Sequence, residues 1–191
     1  MRDLRVVSGK FKGAKLTSPN SMETHPMGAR EKLALFNMVD VRGKNVLDAF
    51  AGSGALGIEA LSRGADVVTF VESSSRAGKI IRDNLTSLMA RDDEVLNVAK
   101  ISLQKVAEFS QNEELYGTFD VIFADPPYDQ IEIAEIQSLV NLLTKGGTLV
   151  VSSPASEPAP DLAGAEMMSS RTYAGARLSI YSVEIVRRGV V

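Results

Sequence analysis

The alternation of strand-like and helix-like segments from residue 45 onward is the feature that most constrains the fold of this chain. Short apolar runs alternate with longer segments whose apolar residues recur at helical spacing. The predicted strands are residues 46–50, 67–71, 95–98, 121–124 and 148–152, and the helices between them are residues 55–63, 76–89, 103–109 and 131–143. Such alternation predicts an α/β domain with a doubly wound, mostly parallel sheet.

The C-terminal part departs from this alternation. Residues 167–173 and 177–186 resemble strands, and the link between them is too short for a helical crossover. An antiparallel hairpin is therefore expected at this end. It completes a predicted seven-stranded, Rossmann-like sheet with a C-terminal antiparallel hairpin.

The N-terminal segment predicts a small β-hairpin and helix extension. Residues 5–16 alternate polar and apolar side chains around two glycines, which favours a hairpin. Residues 29–39 have helical spacing, with Leu33, Phe36 and Val39 expected on the buried face.

The residue types that are missing exclude several kinds of site. The 191 residues contain no Cys and one His, His25, so thiolate nucleophiles, Cys-ligated metal sites and His-rich metal sites are excluded. A Ser-His-Asp triad would need that one imidazole. The apolar runs are strand-sized, and the first ten residues carry charges where a signal peptide is apolar. We therefore expect a soluble cytoplasmic protein without a metal.

The net charge of −3 is divided unevenly along the chain. Residues 1–44 contain nine Lys and Arg against four Asp and Glu, a net charge of +5, whereas residues 45–191 contain twelve against twenty, a net charge of −8. A basic segment is typical of a solvated surface or of a surface that binds nucleic acid, and the charge alone does not separate the two. Residues 1–44 are interpreted as an N-terminal extension and residues 45–191 as the main domain.

A glycine-rich turn with G-x-G-x-x-G spacing follows the first strand of the main domain. Glycines allow a sharp bend and the close approach of a ligand, and the next helix offers free N–H groups at its N-terminus. Glu72 ends the next strand, twenty residues after Gly52, where a carboxylate accepts both ribose hydroxyls. These features favour NAD(H) or S-adenosylmethionine, and the alternative is a tight turn without a ligand. The candidate cofactor-binding residues are Asp48, Phe50, Ala51, Gly52, Ser53, Gly54, Glu72 and Ser73.

The motif Asp125-Pro126-Pro127-Tyr128 directly follows the strand at residues 121–124 and supplies the candidate catalytic residues. The lone pair of a nucleobase amine is delocalised, so an enzyme must hold both amine hydrogens with acceptors to localise it. The Asp125 carboxylate and the Pro126 carbonyl are suitable acceptors, since consecutive prolines fix the backbone and add no N–H donors. A flipped or single-stranded base can stack on the Tyr128 ring, and this role does not require the hydroxyl. The structural alternative is a Pro-Pro turn with Asp125 as a solvated acid.

Four segments of the chain resemble one enzyme family. They are residues 7–16, 35–37, 47–65 and 119–128, and the similarity extends over nearly the whole chain. The family is the RsmD family of small-subunit ribosomal RNA guanine-N2 methyltransferases, within the class I S-adenosylmethionine-dependent enzymes. The resemblance implies methylation of the exocyclic amine of one guanine, guanine 966 of 16S rRNA, on an assembled or assembling ribosomal particle.

The resemblance also implies roles for individual residues. Asp48 would hold the amino group of the cofactor's methionine, and Glu72 would bind its ribose. Asp125 and the Pro126 carbonyl would orient the guanine amine for in-line attack on the methyl group, without a metal. The basic extension would contact the RNA backbone. Its candidate RNA-binding residues are Lys10, Lys12, Lys15, Arg30 and Lys32.

The chain departs from the family pattern at two places. Residues 24–27 read Thr-His-Pro-Met where the family has Thr-Arg-Pro-Thr, and Leu33 replaces an acid that is common on the following helix. His25 is therefore either a loop residue with a local hydrogen bond or a contact to substrate or cofactor. Residues 97–102 contain no clear counterpart of the Asp or Asn that follows the family's third strand, so adenine recognition is expected to rest on backbone groups.

Two other functions remain open at this point. Adenine-N6 methylation of DNA uses the same four-residue motif, although 191 residues leave no room for a sizeable target-recognition domain. An inactive RNA-binding factor for ribosome assembly would keep the fold, although an intact Asp125 and Tyr128 argue against it.

Overall fold

A computed structural model describes residues 4–18, 27–129, 131–173 and 175–183. The strands are β1 (Asn45–Ala49), β2 (Val67–Val71), β3 (Ala99–Ser102), β4 (Phe119–Ala124), β5 (Leu143–Pro154), β6 (Glu166–Tyr173) and β7 (Ala176–Ser182). The α-helices are α1 (Ala29–Met38), α2 (Ala55–Ser62), α3 (Ser75–Leu88), α4 (Val106–Phe109) and α5 (Ile133–Leu139). In this part of the chain, the helices lack the length and apolar character needed to cross a membrane.

The strands form one sheet in the order β3-β2-β1-β4-β5-β7-β6. Strands β1 to β5 pair in parallel, whereas β7 pairs antiparallel with both β5 and β6. The doubly wound sheet and the C-terminal antiparallel pair are therefore confirmed. The strand order reverses between β1 and β4, and ligands of such sheets bind beyond the carboxyl ends of the strands at this reversal.

Two hydrophobic clusters cover the two faces of the sheet. Val46 of β1 belongs to the cluster that contains residues of α2 and α3, and its neighbour Leu47 belongs to the cluster that contains residues of α4 and α5. Successive side chains of a strand point to opposite faces, so one strand supplies both clusters. This double coverage holds the carboxyl ends of the strands at fixed positions.

The N-terminal segment is attached to α2 by a buried carboxylate. Glu59 is fully buried and accepts hydrogen bonds from the backbone N–H groups of Val7 and Ser8, at 2.7 and 2.9 Å. The expected hairpin is reduced to a single antiparallel bridge between Arg5 and Lys15. Two regular strands do not form, because backbone groups that would pair within the hairpin bond to α2 instead.

The structure corrects the buried face of α1. Leu35 and Phe36 are buried as core residues, but Leu33 is 44% exposed and Lys32 takes a buried position. Lys32 lies three and four residues before Leu35 and Phe36, and residues at these spacings share a helix face. The expected contribution of Leu33 to the core is therefore wrong.

The boundaries of several elements also differ from expectation. The third strand, predicted at residues 95–98, forms instead at β3, four residues later. Val95 is buried in the turn after α3, so its apolar character reflects packing and not strand pairing. Helix α5 is shorter than the predicted 131–143, and β5 is longer than the predicted 148–152. The last residues predicted for the 177–186 strand lie outside the described residues.

Candidate active site

A cleft of about 900 Å³ lies beyond the carboxyl ends of β1, β2 and β4. It contains eleven of the twelve residues predicted for catalysis and cofactor binding, and the twelfth, Gly54, is the N-cap of α2. The eleven are Asp48, Phe50, Ala51, Gly52, Ser53, Glu72, Ser73, Asp125, Pro126, Pro127 and Tyr128. Two motifs that are more than 60 residues apart in the sequence thus share one cavity.

The glycines of the turn between β1 and α2 have different roles. Gly52 and Gly54 both have positive φ angles, of 54° and 76°, which favour glycine. A Cβ atom at Gly52 would meet nothing nearer than a backbone oxygen at 4.0 Å, whereas one at Gly54 would lie 3.3 Å from the side chains of Ile81 and Phe70. Gly52 therefore leaves the backbone open to a ligand, and Gly54 allows close packing.

Asp48 lies at the base of the cleft and is 2% exposed. Its carboxylate accepts a hydrogen bond of 2.8 Å from the backbone N–H of Gly57, in the first turn of α2. Burial raises the pKa of Asp48 well above its ordinary value, the hydrogen bond from Gly57 opposes that rise, and the charges of Asp125 and Glu72 add to it. Asp48 thus occupies the positive end of the helix that a ligand anion would otherwise use.

Glu72 connects the end of β2 to the glycine-rich turn. One carboxylate oxygen accepts the N–H of Gly52 at 2.8 Å, and the other accepts the N–H of Ser74 at 2.7 Å. Each carboxylate oxygen has a second lone pair, so both remain able to accept a hydroxyl. The carboxylate is therefore held in one orientation beside the cleft.

The charge of the cleft is predominantly negative. Its lining includes six acidic side chains and two lysines. The acidic residues are Asp48, Glu72, Asp125, Asp129, Glu132 and Glu135, and the lysines are Lys32 and Lys105. Within the described ranges, His, Asp and Glu side chains form no group of three that could hold a metal ion. The electrostatic field favours a cationic ligand over an anionic one.

The Asp125-Pro126-Pro127-Tyr128 motif forms the wall of the cleft after β4. Asp125 is half-buried and Pro126 is buried. Burial raises the pKa of Asp125, and a hydrogen bond from Ser152 partly offsets that effect. Among the described residues, no backbone N–H donates to the Pro126 carbonyl, which leaves this oxygen free to accept.

Tyr128 is 39% exposed, and its hydroxyl lies 2.9 Å from the Ser152 Oγ atom of β5. The phenol is therefore anchored at its tip while part of the ring stays accessible. Burial also raises the pKa of Tyr128. No sequence pattern selects Ser152, because its proximity to the motif depends on the pairing of β4 with β5.

The basic residues predicted for RNA binding separate into two groups. Lys12, Lys15 and Arg30 are exposed, and Lys10 is half-exposed in an ion pair of 2.6 Å with Asp92. Lys32 departs from the prediction, because it is 1% exposed and its Nζ atom donates a hydrogen bond of 2.8 Å to a backbone carbonyl of the N-terminal segment. Burial lowers the pKa of Lys32. The side chain thus connects α1 to the N-terminal segment and is not part of an exposed RNA-binding surface.

Sequence reasoning also missed a polar side chain near the expected adenine position. Gln104 lines the cleft just after β3, and its amide nitrogen donates a hydrogen bond of 2.8 Å to the Ser102 hydroxyl. It was missed because the third strand was predicted four residues too early, which moved the residue after the strand to the wrong place. His25 lies outside the described residues, and its role stays a prediction.

Comparisons with known proteins agree with this fold. The family model described as Conserved hypothetical protein 95 matches residues 4–182. Ribosomal RNA small subunit methyltransferase D of Haemophilus influenzae is 37% identical over 128 residues, which cover 66% of this chain and 64% of that relative. The Bacillus subtilis protein YlbH is 32% identical over 186 residues, which cover 93% of this chain and 98% of the relative.

A solved structure extends the agreement to nearly the whole fold. The Escherichia coli protein yhhF superposes with a TM-score of 0.81 at 26% identity, and the match covers 95% of this chain and 98% of that chain. Since the family model spans almost the complete sequence, the chain belongs to this family, the RsmD family of class I S-adenosylmethionine-dependent methyltransferases.

Proposed function

We propose that the chain transfers the methyl group of S-adenosylmethionine to the exocyclic N2 amine of a guanine in small-subunit rRNA, guanine 966 in the numbering of 16S rRNA. The observation that carries the proposal is the cleft that Asp125, Tyr128 and Glu72 share. Glu72 belongs to the turn proposed to bind the cofactor, and Asp125 and Tyr128 belong to the motif proposed to hold the base.

The polar groups of the cleft fit this cofactor better than they fit a dinucleotide. Glu72 and Asp48 already accept the N–H groups of Gly52, Ser74 and Gly57, which a pyrophosphate would need for itself. The surplus of acidic side chains supports a ligand with a sulfonium and an ammonium group. When bound, the cofactor supplies an electrophilic methyl group.

We assign separate contacts with the cofactor to the two carboxylates. Glu72 accepts the ribose hydroxyls with the lone pairs that Gly52 and Ser74 leave free. Asp48 accepts a hydrogen bond from the ammonium group of the cofactor, directly or through water. A buried carboxylate has lost its hydration, and it needs a positive partner to offset that loss. The ammonium group would supply this positive charge to Asp48.

The Asp125 motif prepares the target amine. The Asp125 carboxylate accepts one amine hydrogen and the Pro126 carbonyl accepts the other, which localises the lone pair on nitrogen. The guanine stacks on the accessible part of the Tyr128 ring, and this stacking fixes the position of the amine relative to Asp125. The nitrogen becomes acidic once methylated, so its proton leaves to Asp125 or to water.

The exposed basic residues support RNA as the substrate class. Lys12, Lys15 and Arg30 lie on the N-terminal extension, which Glu59 fixes to α2, the helix that begins at the cofactor turn. An RNA backbone bound by this extension would thus be held at a fixed position relative to the cleft. We propose residues 1–44 as the RNA-contacting extension and residues 45–191 as the methyltransferase domain.

The test is incubation of the purified protein with labelled S-adenosylmethionine and three substrates: unmodified small ribosomal subunits, naked small-subunit rRNA and DNA. The expected result is label on the N2 atom of guanine 966 in one or both RNA substrates. Label on adenine N6 of DNA would identify the alternative methyltransferase. RNA binding without label on any substrate would identify an assembly factor.

A further inference from the structure

Ser152 lies between two residues of the proposed catalytic motif. Strand β5 pairs with β4 through Ala124 and Val151, so Asp125 and Ser152 are the next residues along the two parallel strands. Ser152 is 2% exposed, and its hydroxyl is 2.9 Å from the Tyr128 hydroxyl. One buried hydroxyl is thus adjacent to the proposed base-stacking ring and to the proposed amine acceptor.

The proton inventory of the three groups favours one arrangement. An ionised carboxylate only accepts hydrogen bonds, whereas each hydroxyl has one proton to donate. Both hydroxyl protons are used if Tyr128 donates to Ser152 and Ser152 donates to Asp125. If Ser152 donated its hydrogen bond to the Tyr128 hydroxyl instead, Asp125 would receive no hydrogen bond from Ser152.

The neighbouring serine supplies a contrast. The Ser153 hydroxyl is also buried in β5, but it has no hydrogen-bond partner among the described residues. Burial of a serine at this end of β5 therefore does not itself guarantee a polar contact. The contact of Ser152 depends on its position beside the motif.

We propose that Ser152 is a positioning residue, whose hydroxyl fixes the Tyr128 ring and the Asp125 carboxylate relative to each other. This inference rests on the proposed function for its catalytic consequence. In this arrangement one Asp125 oxygen accepts the Ser152 proton, which leaves the other oxygen for the amine. One hydroxyl thus fixes both the Tyr128 ring that stacks on the base and the Asp125 carboxylate that accepts its amine hydrogen. The amine is therefore held in position before the methyl group is transferred, which is the preorganisation that catalysis requires.

The hydroxyl also affects the charge state of Asp125. Burial raises the pKa of this carboxyl and the hydrogen bond from Ser152 lowers it, so Ser152 favours the ionised form that accepts the amine hydrogen. Charged and titratable groups from several elements share the cleft with it. They are Asp48 of β1, Glu72 after β2, Lys32 of α1, Lys105 before α4, Tyr128 and Asp129 after β4, and Glu132 and Glu135 at α5.

The test is a titration of the Asp125 carboxyl by carbon-13 NMR in the free protein, for the wild type, Ser152→Ala, Ser152→Thr and Ser153→Ala. Ser152→Ala should raise the pKa of Asp125, because the ionised form loses a donor. Ser152→Thr keeps the hydroxyl and should restore the wild-type titration, and Ser153→Ala removes a hydroxyl without a partner and should not change it. Equal titrations of Ser152→Ala and Ser153→Ala would overturn the proposal.

A second readout connects the titration to transfer. In single turnovers with saturating cofactor, Ser152→Ala should be about tenfold slower than wild type, and the acid limb of its pH–rate profile should move to higher pH. Ser153→Ala should keep the wild-type rate and profile. The NMR titration needs neither cofactor nor RNA, so a failure of the proposed substrate leaves the link between Ser152 and Asp125 intact and separately measurable.

Discussion

The Glu72 carboxylate accepts the backbone N–H of Gly52 at 2.8 Å and so joins the end of β2 to the turn after β1. Its second oxygen accepts the N–H of Ser74, before α3. One side chain therefore orients two loops on the same side of the cleft. The sequence pattern that predicts a ribose-binding acid also selects a residue that shapes the turn.

Glu72→Gln should weaken the binding of S-adenosylmethionine by about tenfold or more, because an amide offers one acceptor where the carboxylate offers two. Isothermal calorimetry measures the change, and Asp83→Asn, an exposed acid of α3, is the matched control. We also expect no tight binding of NADH by the wild type. Unchanged cofactor affinity in Glu72→Gln would refute the assigned role of this carboxylate.

Asp48→Asn should raise the melting temperature at neutral pH by about 2 °C or more and should weaken cofactor binding. The folded-state pKa of Asp48 is raised, so its ionisation destabilises the folded protein as pH rises from about 4 through that pKa. The asparagine oxygen can still accept the Gly57 N–H. The stability difference should therefore grow with pH and vanish near pH 4, as measured by thermal melts across pH. Equal melting temperatures at every pH would contradict the burial of a charge at this position.

The local motifs were predictable because each depends on a few consecutive residues. The turn around Gly52 and the motif that begins at Asp125 follow apolar strands, and a parallel sheet brings the carboxyl ends of such strands together. Their joint placement in one cleft therefore followed from the α/β pattern.

Residues were missed or misplaced for different physical reasons. The pairing of β4 and β5 selects Ser152, which the sequence alone does not reveal. Lys32 shares a helix face with Leu35 and Phe36, so helical spacing could have predicted its burial, but its charge suggested a surface position. Gln104 was missed because a short edge strand with polar residues lacks the apolar signal of a central strand.

Neutralisation of Lys12, Lys15 and Arg30 to Ala should weaken RNA binding and reduce the salt dependence of the affinity, because fewer counterions are released. Cofactor affinity should stay unchanged. A charge-matched control replaces the exposed residues Lys100, Lys145 and Arg171, which lie on β3, β5 and β6. Filter binding at several salt concentrations measures both slopes. If the RNA affinities of the two triple variants had identical salt dependence, the basic residues of the N-terminal extension would be a solvated surface and not an RNA-binding one.

Tyr128→Phe should lower the rate by less than about tenfold, because it removes one hydrogen bond to Ser152 and keeps the ring. Tyr128→Ala should lose both substrate affinity and rate, since base stacking contributes roughly 1–3 kcal/mol. Tyr116, an exposed tyrosine outside the cleft, is the control position for the same two substitutions. A Tyr128→Phe variant as inactive as Tyr128→Ala would assign the phenol a role other than stacking.

Asp125 is the residue on which the proposed chemistry most directly depends. Its carboxylate is expected to act mainly in the transition state, where the amine lone pair becomes localised. Loss of such a contact lowers turnover more than it lowers binding. The binding of S-adenosylmethionine should therefore change little in Asp125→Ala.

The decisive measurement is the single-turnover rate of methyl transfer to unmodified small-subunit RNA at saturating cofactor, for wild type, Asp125→Asn and Asp125→Ala. We predict that Asp125→Ala is slower by roughly 10² to 10³-fold, with cofactor affinity within about twofold of wild type. Asp125→Asn should fall between the two, because its amide oxygen accepts a hydrogen bond without the negative charge. An Asp125→Ala protein that transfers the methyl group at the wild-type rate would contradict the mechanism.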